Sequence, residues 1–420
     1  MGHFKFKLSV IFLLWALNLP AIAQQTLPEK TLDYFIDKGL KASPLLKDYT
    51  NQLRIAEIDS LRLVAGLGPQ LIASSSAVYA PRIHGYGFDE VITNGQNLDA
   101  LLTLNYTITG KARRSNQFQA IRLQRDSINY ANKLSVLDLQ RAIIEQYITA
   151  YSSQQQVAFN KEVFKLLSEE EKVLKSLTRS NVYTQVEYLT FSVTFKQQQL
   201  SLKQAETQYE NDLFSLNYLS GILDTKIVLL TEPLLKDSIA LMPINSFFNT
   251  RFEIDSLKAV NESKALDLDY YKPKATIYVN GGYNSSLMLQ PYKNFGTSLG
   301  FTLALPLYDG GQRKMRHDQI NLQLETTAQY HRFFSLQQQQ QLSQLKQQIV
   351  STTDISQQIR SQIQLIRGLI SVDAKLLHTG DVKIADFIIA ISNYLSAQNL
   401  LKQNNINRWK LIGQLNYWNR

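Results

Sequence analysis

Gly296-Thr297-Ser298-Leu299-Gly300-Phe301-Thr302-Leu303-Ala304-Leu305-Pro306-Leu307 sets Leu299, Phe301, Leu303, Leu305 and Leu307 on one side against Ser298, Gly300, Thr302 and Ala304 on the other. A period of two over this length is that of a β-strand with one apolar face. Upstream, Pro273 to Tyr283 alternates Ala275, Ile277 and Val279 against Thr276, Tyr278 and Asn280. Earlier still, Leu98 to Thr109 alternates Ala100, Leu102, Leu104, Tyr106 and Ile108 against Thr103, Asn105 and Thr107. Pro69 to Ala80 precedes it across a loop holding Gly85, Gly87, Asn94 and Gly95. Strands of this length with aromatic ends suit a transmembrane β-strand, with lipid outside and water inside. A half-exposed sheet in a soluble domain yields the same alternation. Four strands cannot close a barrel, and an open sheet edge does not survive in lipid. A membrane location therefore requires several chains to supply one barrel together.

The rest of the chain reads as helix. Arg313 to His378 contains no Pro and a single Gly, Gly368, and Lys111 to Leu177 contains neither. Leu342, Leu345, Ile349, Ile355, Ile359, Ile363, Ile366 and Ile370 recur in steps of three and four with one break, the stripe of a helix buried on one side. At ~1.5 Å per residue, a run of about 66 residues makes about 100 Å of helix, a length that calls for coiled-coil packing. The glutamine run Gln337 to Gln341 is bracketed by Phe333, Phe334 and Leu336 and by Leu342 and Leu345, and reads as a solvated helix face.

The two halves repeat. Asn181, Thr184 and Glu187 precede Leu189 as Gly380, Lys383 and Asp386 precede Ile388; 380 − 181 and 386 − 187 both equal 199. Leu216-Asn217-Tyr218 returns as Leu415-Asn416-Tyr417, and Leu104 as Leu303, at the same offset. One spacing kept from strand to turn to helix end implies two copies of a strand pair plus a helical hairpin. Asn181 and Gly380 suit the positive φ of a chain reversal. Thr184 with Glu187 forms a capping box opening the return helix. In the second copy Lys383 replaces the threonine, while Asp386 stays in the first turn, favourable to the helix dipole.

Among the 420 residues, 44 are Lys or Arg, 35 are Asp or Glu, and none is Cys. Disulfide scaffolds, thiol enzymes and cysteine metal sites are thereby excluded. The net charge of +9 is spread along the chain, which argues against a nucleic-acid partner. A slightly negative mean hydropathy excludes a polytopic helical membrane protein. Lys5, Lys7, the apolar run Leu8 to Leu19 and Ala21-Ile22-Ala23 read as a cleaved secretory signal over residues 1–23. The five histidines, at 3, 84, 317, 331 and 378, show no metal-ligand spacing. No P-loop, dinucleotide fingerprint or nucleophile elbow is present, so neither enzymatic activity nor a cofactor is expected.

Taken in order, Ser43-Pro44-Leu45, Ala65-Gly66-Leu67-Gly68-Pro69, Leu305-Pro306-Leu307-Tyr308-Asp309-Gly310-Gly311 and the turn from Gly380 to Asp386 resemble the TolC family of outer-membrane efflux proteins, over essentially the whole mature chain. The resemblance implies a mainly α fold with a small membrane β part. Long coiled-coil hairpins would form a periplasmic tunnel, and each chain of a homotrimer would give four strands to a twelve-stranded barrel in outer-membrane lipid. It implies a first repeat at 24–220 (strand pair 69–109, hairpin 111–219), an equatorial linker at 221–264 with Pro233 and Pro243, and a second repeat at 265–420 (strand pair 273–307, hairpin 312–418). Helices near Glu29 to Ala65 and Thr184 to Leu219 would stack end to end against the long ones, with loops Pro81 to Asn97 and Asn284 to Phe295 outside the cell. The implied role is the exit duct of a tripartite efflux or type I secretion system, joined to a membrane-fusion adaptor and an inner-membrane pump of RND or ABC type. Asp386, Lys383 and Glu187 are the candidate gate residues. Where the family has a further acid three residues beyond Asp386, this chain has Ile389, which removes a second carboxylate ring. Arg179, Asn181, Val182, Tyr183, Thr184, Gly380, Asp381 and Val382 are the candidate adaptor-contact tip, with Val182 and Tyr183 as exposed apolar contacts. The competing reading is an exported coiled-coil structural protein with a soluble β cap.

Overall fold

The computed structural model describes residues 28–89, 96–235, 247–286 and 293–420. The export signal at 1–23, the middle of both strand-connecting loops and Pro243 lie outside the described residues. In chain order the elements are β1 (Glu29–Lys30), α1 (Leu32–Ala42), α2 (Pro44–Gly66), β2 (Gln70–Tyr79), β3 (Gln96–Ile108), α3 (Lys111–Arg179), α4 (Gln185–Leu219), β4 (Leu229–Leu230), α5 (Thr250–Asp269), β5 (Lys274–Ser285), β6 (Phe295–Ala304), α6 (Gln312–Thr379) and α7 (Ile384–Trp418). The fold is mainly α, with the strand pairs and long hairpins that the sequence pattern predicts. α3 and α6 have 69 and 68 residues, and α4 and α7 have 35 each.

Two sequence expectations are adjusted. The early helix is interrupted at Ser43, which takes an extended ψ of 117° and accepts a hydrogen bond from Leu46 N at 3.4 Å. The cause is local: Pro44 has no N–H and pushes the preceding residue out of the helical region, while suiting the first position of a new helix. The last strand stops at Ala304, although its alternation runs on to Leu307. Pro306 cannot donate to a ladder, so pattern and pairing part there.

Contacts divide the chain into two compact units. The sheet unit comprises Gly39–Ala142, Leu235–Arg360 and Gln403–Arg420. Its sheet runs β2-β3-β5-β6, antiparallel throughout, with β2 and β6 at the edges. Its helical part has an apolar core in which Leu342, Leu345 and Ile349 of α6 meet Leu411, Ile412 and Leu415 of α7. These spacings place all six on facing helix stripes. Asn116 and Asn261 tie α3 to α5 by amide hydrogen bonds of 2.9 Å. Arg113–Asp269, Arg313–Asp267 and Arg316–Glu262 add ion pairs of 2.6, 2.7 and 2.5 Å. These pairs are half-exposed, so water screens them.

The tip unit comprises the chain up to Lys38, Ile143–Leu234 and Ser361–Lys402. Inside it β1 and β4 form a short parallel bridge. The buried Tyr147 hydroxyl donates to Thr231 O at 2.7 Å, which pins that bridge to α3. Burial pushes the Tyr147 phenol above its ordinary range. Leu167 and Leu174 of α3, Phe191 of α4, Leu377 of α6 and Phe387 of α7 are among the fully buried side chains of this unit.

Candidate functional site

Two features stand out, one in each unit. The first is the sheet. Register aligns rows of side chains across the sheet: Leu71, Leu104, Val279 and Leu299 in a row through all four strands, then Tyr106, Ile277 and Phe301, and Ile108, Ala275 and Leu303, through three. Residues directly paired across antiparallel strands share a face. The four apolar stripes therefore combine into one continuous surface, while Ile72, Thr103, Asn280 and Ser298 form a row of the opposite, mostly polar face. Nothing among the described residues buries the apolar face: Leu299 is 77% exposed, Phe295 71% and Leu71 68%. Contiguous apolar surface of this kind marks a membrane or protein contact. At mid-sheet Gly300 lies beneath the Tyr278 ring, where a Cβ would meet the ring at 2.0 Å.

The second feature is the pair of hairpin turns in the tip unit. Asn181 and Gly380 both take left-handed φ, of 57° and 84°. Val182 N donates to Leu177 O at 3.0 Å in the first turn, and Asp381 N to Leu376 O at 2.9 Å in the second. Both bonds close a Schellman-type ending, and they stand 199 positions apart. The first turn then starts α4 through a complete capping box. Thr184 N donates to Glu187 Oε2 at 2.9 Å, and Glu187 N to Thr184 Oγ1 at 3.3 Å. The second turn starts α7 with no such box. Asp386 and Lys383 are exposed, and neither carries an ion pair among the described residues.

Arg179, Asn181, Val182, Thr184, Gly380 and Asp381 are exposed, and Val382 is half-buried. Tyr183 is the correction: expected as an exposed apolar contact, it is only 7% exposed. Its hydroxyl lies 3.1 Å from Leu377 O and 3.0 Å from Val382 O, donating between two carbonyls of the other hairpin. Burial raises its phenol pKa, with Glu187 and Asp381 adding to the shift. Val182 packs on the same turn, and a Cβ on Gly380 would come within 2.7 Å of its Cγ1. The two tips are thus one packed object within the chain.

Sequence reasoning missed Glu170. It is buried on α3, with one carboxylate oxygen 3.4 Å from His378 Nε2 in the last turn of α6. Burial raises its carboxyl pKa, and His378 offsets part of that. The repeat gives no warning of it, because the residue 199 positions on, Leu369, is 49% exposed where Glu170 is buried. Among the described residues no group of His, Asp and Glu side chains could hold a metal, and no helix is long and apolar enough to cross a membrane.

Comparison with known proteins agrees with this geometry. No protein-family model matches the chain, and no curated protein sequence does. Solved structures do match in fold. CusC, described in connection with transmembrane channel formation, superposes with a TM-score of 0.72 at 12% identity, covering 95% of each chain. The Campylobacter jejuni outer membrane channel CmeC gives 0.71 at 14% identity, covering 92% of this chain and 85% of that one. The outer membrane protein VceC of Vibrio cholerae gives 0.70 at 14% identity, covering 92% and 96%. The chain has the fold of outer-membrane channels of the TolC type.

Proposed function

We propose that the chain is an outer-membrane exit duct of a tripartite efflux or type I secretion system, exported by a cleaved signal. In this reading three copies pool their strands into a twelve-stranded barrel, and an inner-membrane pump of RND or ABC type delivers small molecules, metal ions or proteins to it. The hairpin tips, through Arg179, Asn181, Val182, Thr184, Gly380, Asp381 and Val382, take the membrane-fusion adaptor. Asp386, with Lys383 beside it, lines the periplasmic constriction, where three carboxylates about one axis would attract cations. Glu187 has a capping role. No nucleic acid, cofactor or catalytic step is involved.

One observation carries the reading: register gathers the apolar stripes of all four strands on one uncovered face, and the sheet ends in two open edges. Lipid can cover such a face, and further strands must cover the edges, because unpaired backbone groups in hydrocarbon cost several kcal/mol each. An exported coiled-coil protein with a soluble β cap would have to bury that face in its own helices.

Adjacent cysteines test it, since the chain has none of its own. With the chain in native membranes, Ser298→Cys on the polar face should react with a water-soluble maleimide. Leu299→Cys on the apolar face should stay protected until detergent unfolds the protein. Equal labelling of both, with release of the chain by carbonate, would establish the structural-protein reading instead.

A further inference from the structure

The four strands contain two charged residues, Asp99 in β3 and Lys274 in β5. Both lie on the polar face: Asp99 pairs with Ser76 and Asn284, and Lys274 shares the side of Thr276, Tyr278 and Asn280. The remainder of that face is uncharged. The two charges stand at opposite ends of the sheet, ten residue steps of β5 apart from Lys274 to Asn284, the partner of Asp99. At ~3.4 Å per residue and a strand tilt of about 40°, that is ~25 Å along the membrane normal, the height of a barrel's apolar band.

Asp99 is held in place. Ser76 N donates to its Oδ1 at 3.2 Å, Ser76 Oγ donates to its Oδ2, and Ser75 Oγ donates to its carbonyl at 2.8 Å. No cation pairs with it among the described residues, and none of the described acids pairs with Lys274. In the adjoining loops Asp89 and Lys293 already have partners. At the other end exposed Lys272 adds charge of the same sign as Lys274.

We infer that the inner wall of the duct is electrically polarised, with Asp99 making its loop-side rim favour cations and Lys274 making its helix-side rim favour anions. The inference rests on the exit-duct reading, since only a water-filled barrel places this face around a path for solutes. The rims act separately: at 0.1 M salt the screening length is about 10 Å, well under their separation. Each charge therefore selects locally, and together they sort charged solutes by sign at entry and at exit.

Two reporter cysteines on the polar face read the two rims. Ser74→Cys lies one polar-face row from Asp99, and Thr302→Cys one row from Lys274. Each is treated, in the full-length protein in liposomes at low salt, with a trimethylammonium-bearing and a sulfonate-bearing methanethiosulfonate. Ser74→Cys should favour the cationic reagent, and adding Asp99→Asn should lower the rate ratio about sevenfold, since one charge ~7 Å away in water changes each reagent's rate about threefold in opposite directions. Asp99→Glu should restore the ratio. Thr302→Cys should show the opposite preference, and Lys274→Gln should reduce it. Rate ratios that ignore both substitutions, at cysteines that do react, would overturn the inference and leave the duct intact. Cysteines closed to both reagents would overturn the duct reading itself.

Discussion

The two hairpin turns trace the same path with different chemistry. Both reverse through a left-handed residue, Asn181 or Gly380, and both close with a backbone bond from the next N–H to a leucine carbonyl five residues back. Beyond that they diverge. The first spends its side chains on structure: Thr184 and Glu187 cap each other, and Tyr183 is buried against the other hairpin. The second leaves Lys383 and Asp386 exposed without partners among the described residues. Backbone geometry needs only one permissive residue per turn, so it persists in both copies. Side-chain roles are free to separate, one turn becoming the fastener and the other the face that carries unspent charge.

The largest test of this contrast is Tyr183→Ala, which removes a buried ring from the fastener and should cost about 3 kcal/mol. Its repeat counterpart Val382→Ala should cost roughly 1 kcal/mol, as a smaller half-buried side chain. Urea unfolding of the detergent-solubilised protein, read by hydrogen exchange at the tip, measures both; equal costs would erase the contrast. Next in size is the pair of acids. Glu187→Ala should lose about 1 kcal/mol of stability with the loss of the cap and leave single-channel current in planar bilayers unchanged. Asp386→Ala should leave stability within about 0.5 kcal/mol and change conductance or cation preference. An unaltered current would confine Asp386 to interaction with the helix dipole.

The smallest effect sharpens the comparison on the arms, where Glu170 of the first copy is buried and Leu369, its counterpart 199 positions on, is exposed. Burial holds the folded Glu170 carboxyl above its unfolded pKa, so folding takes up a proton in the window between the two. The destabilisation is present in full above the folded pKa and vanishes as pH falls below the unfolded value, about 4.3. Glu170→Gln should therefore raise the melting temperature at pH 8 and lose that advantage on acidification to pH 4. A difference independent of pH would show that the carboxylate is not what destabilises the site.

Much of this was legible in the residues. Strand alternation, the positive-φ turn residues and the Thr184–Glu187 box are local signals, and the structure places each where the pattern put it except at the end of the last strand, which stops at Ala304. The helix break at Ser43-Pro44 is written just as locally, although the stretch from Glu29 to Ala65 otherwise reads as one helix. Tyr183 was misread for a different reason. A tyrosine in an exposed turn looks like a contact residue, and the carbonyls that hold it lie 194 and 199 positions further along the chain. Asp99 carried no signal at all, because a lone acid in a strand gains meaning only when the strands paired around it are seen to bring no second acid to its face.

The sequence by itself determined that there would be three two-sided strands with a fourth beside them and two long hairpins, since side-chain alternation and helical stripes follow from backbone periods that each segment carries alone. Only the tertiary structure decided that the apolar sides coincide. A slip of one residue in any pairing would turn a whole strand's apolar set to the opposite face. Register is fixed by partners up to about 200 positions away, and no local stretch contains it.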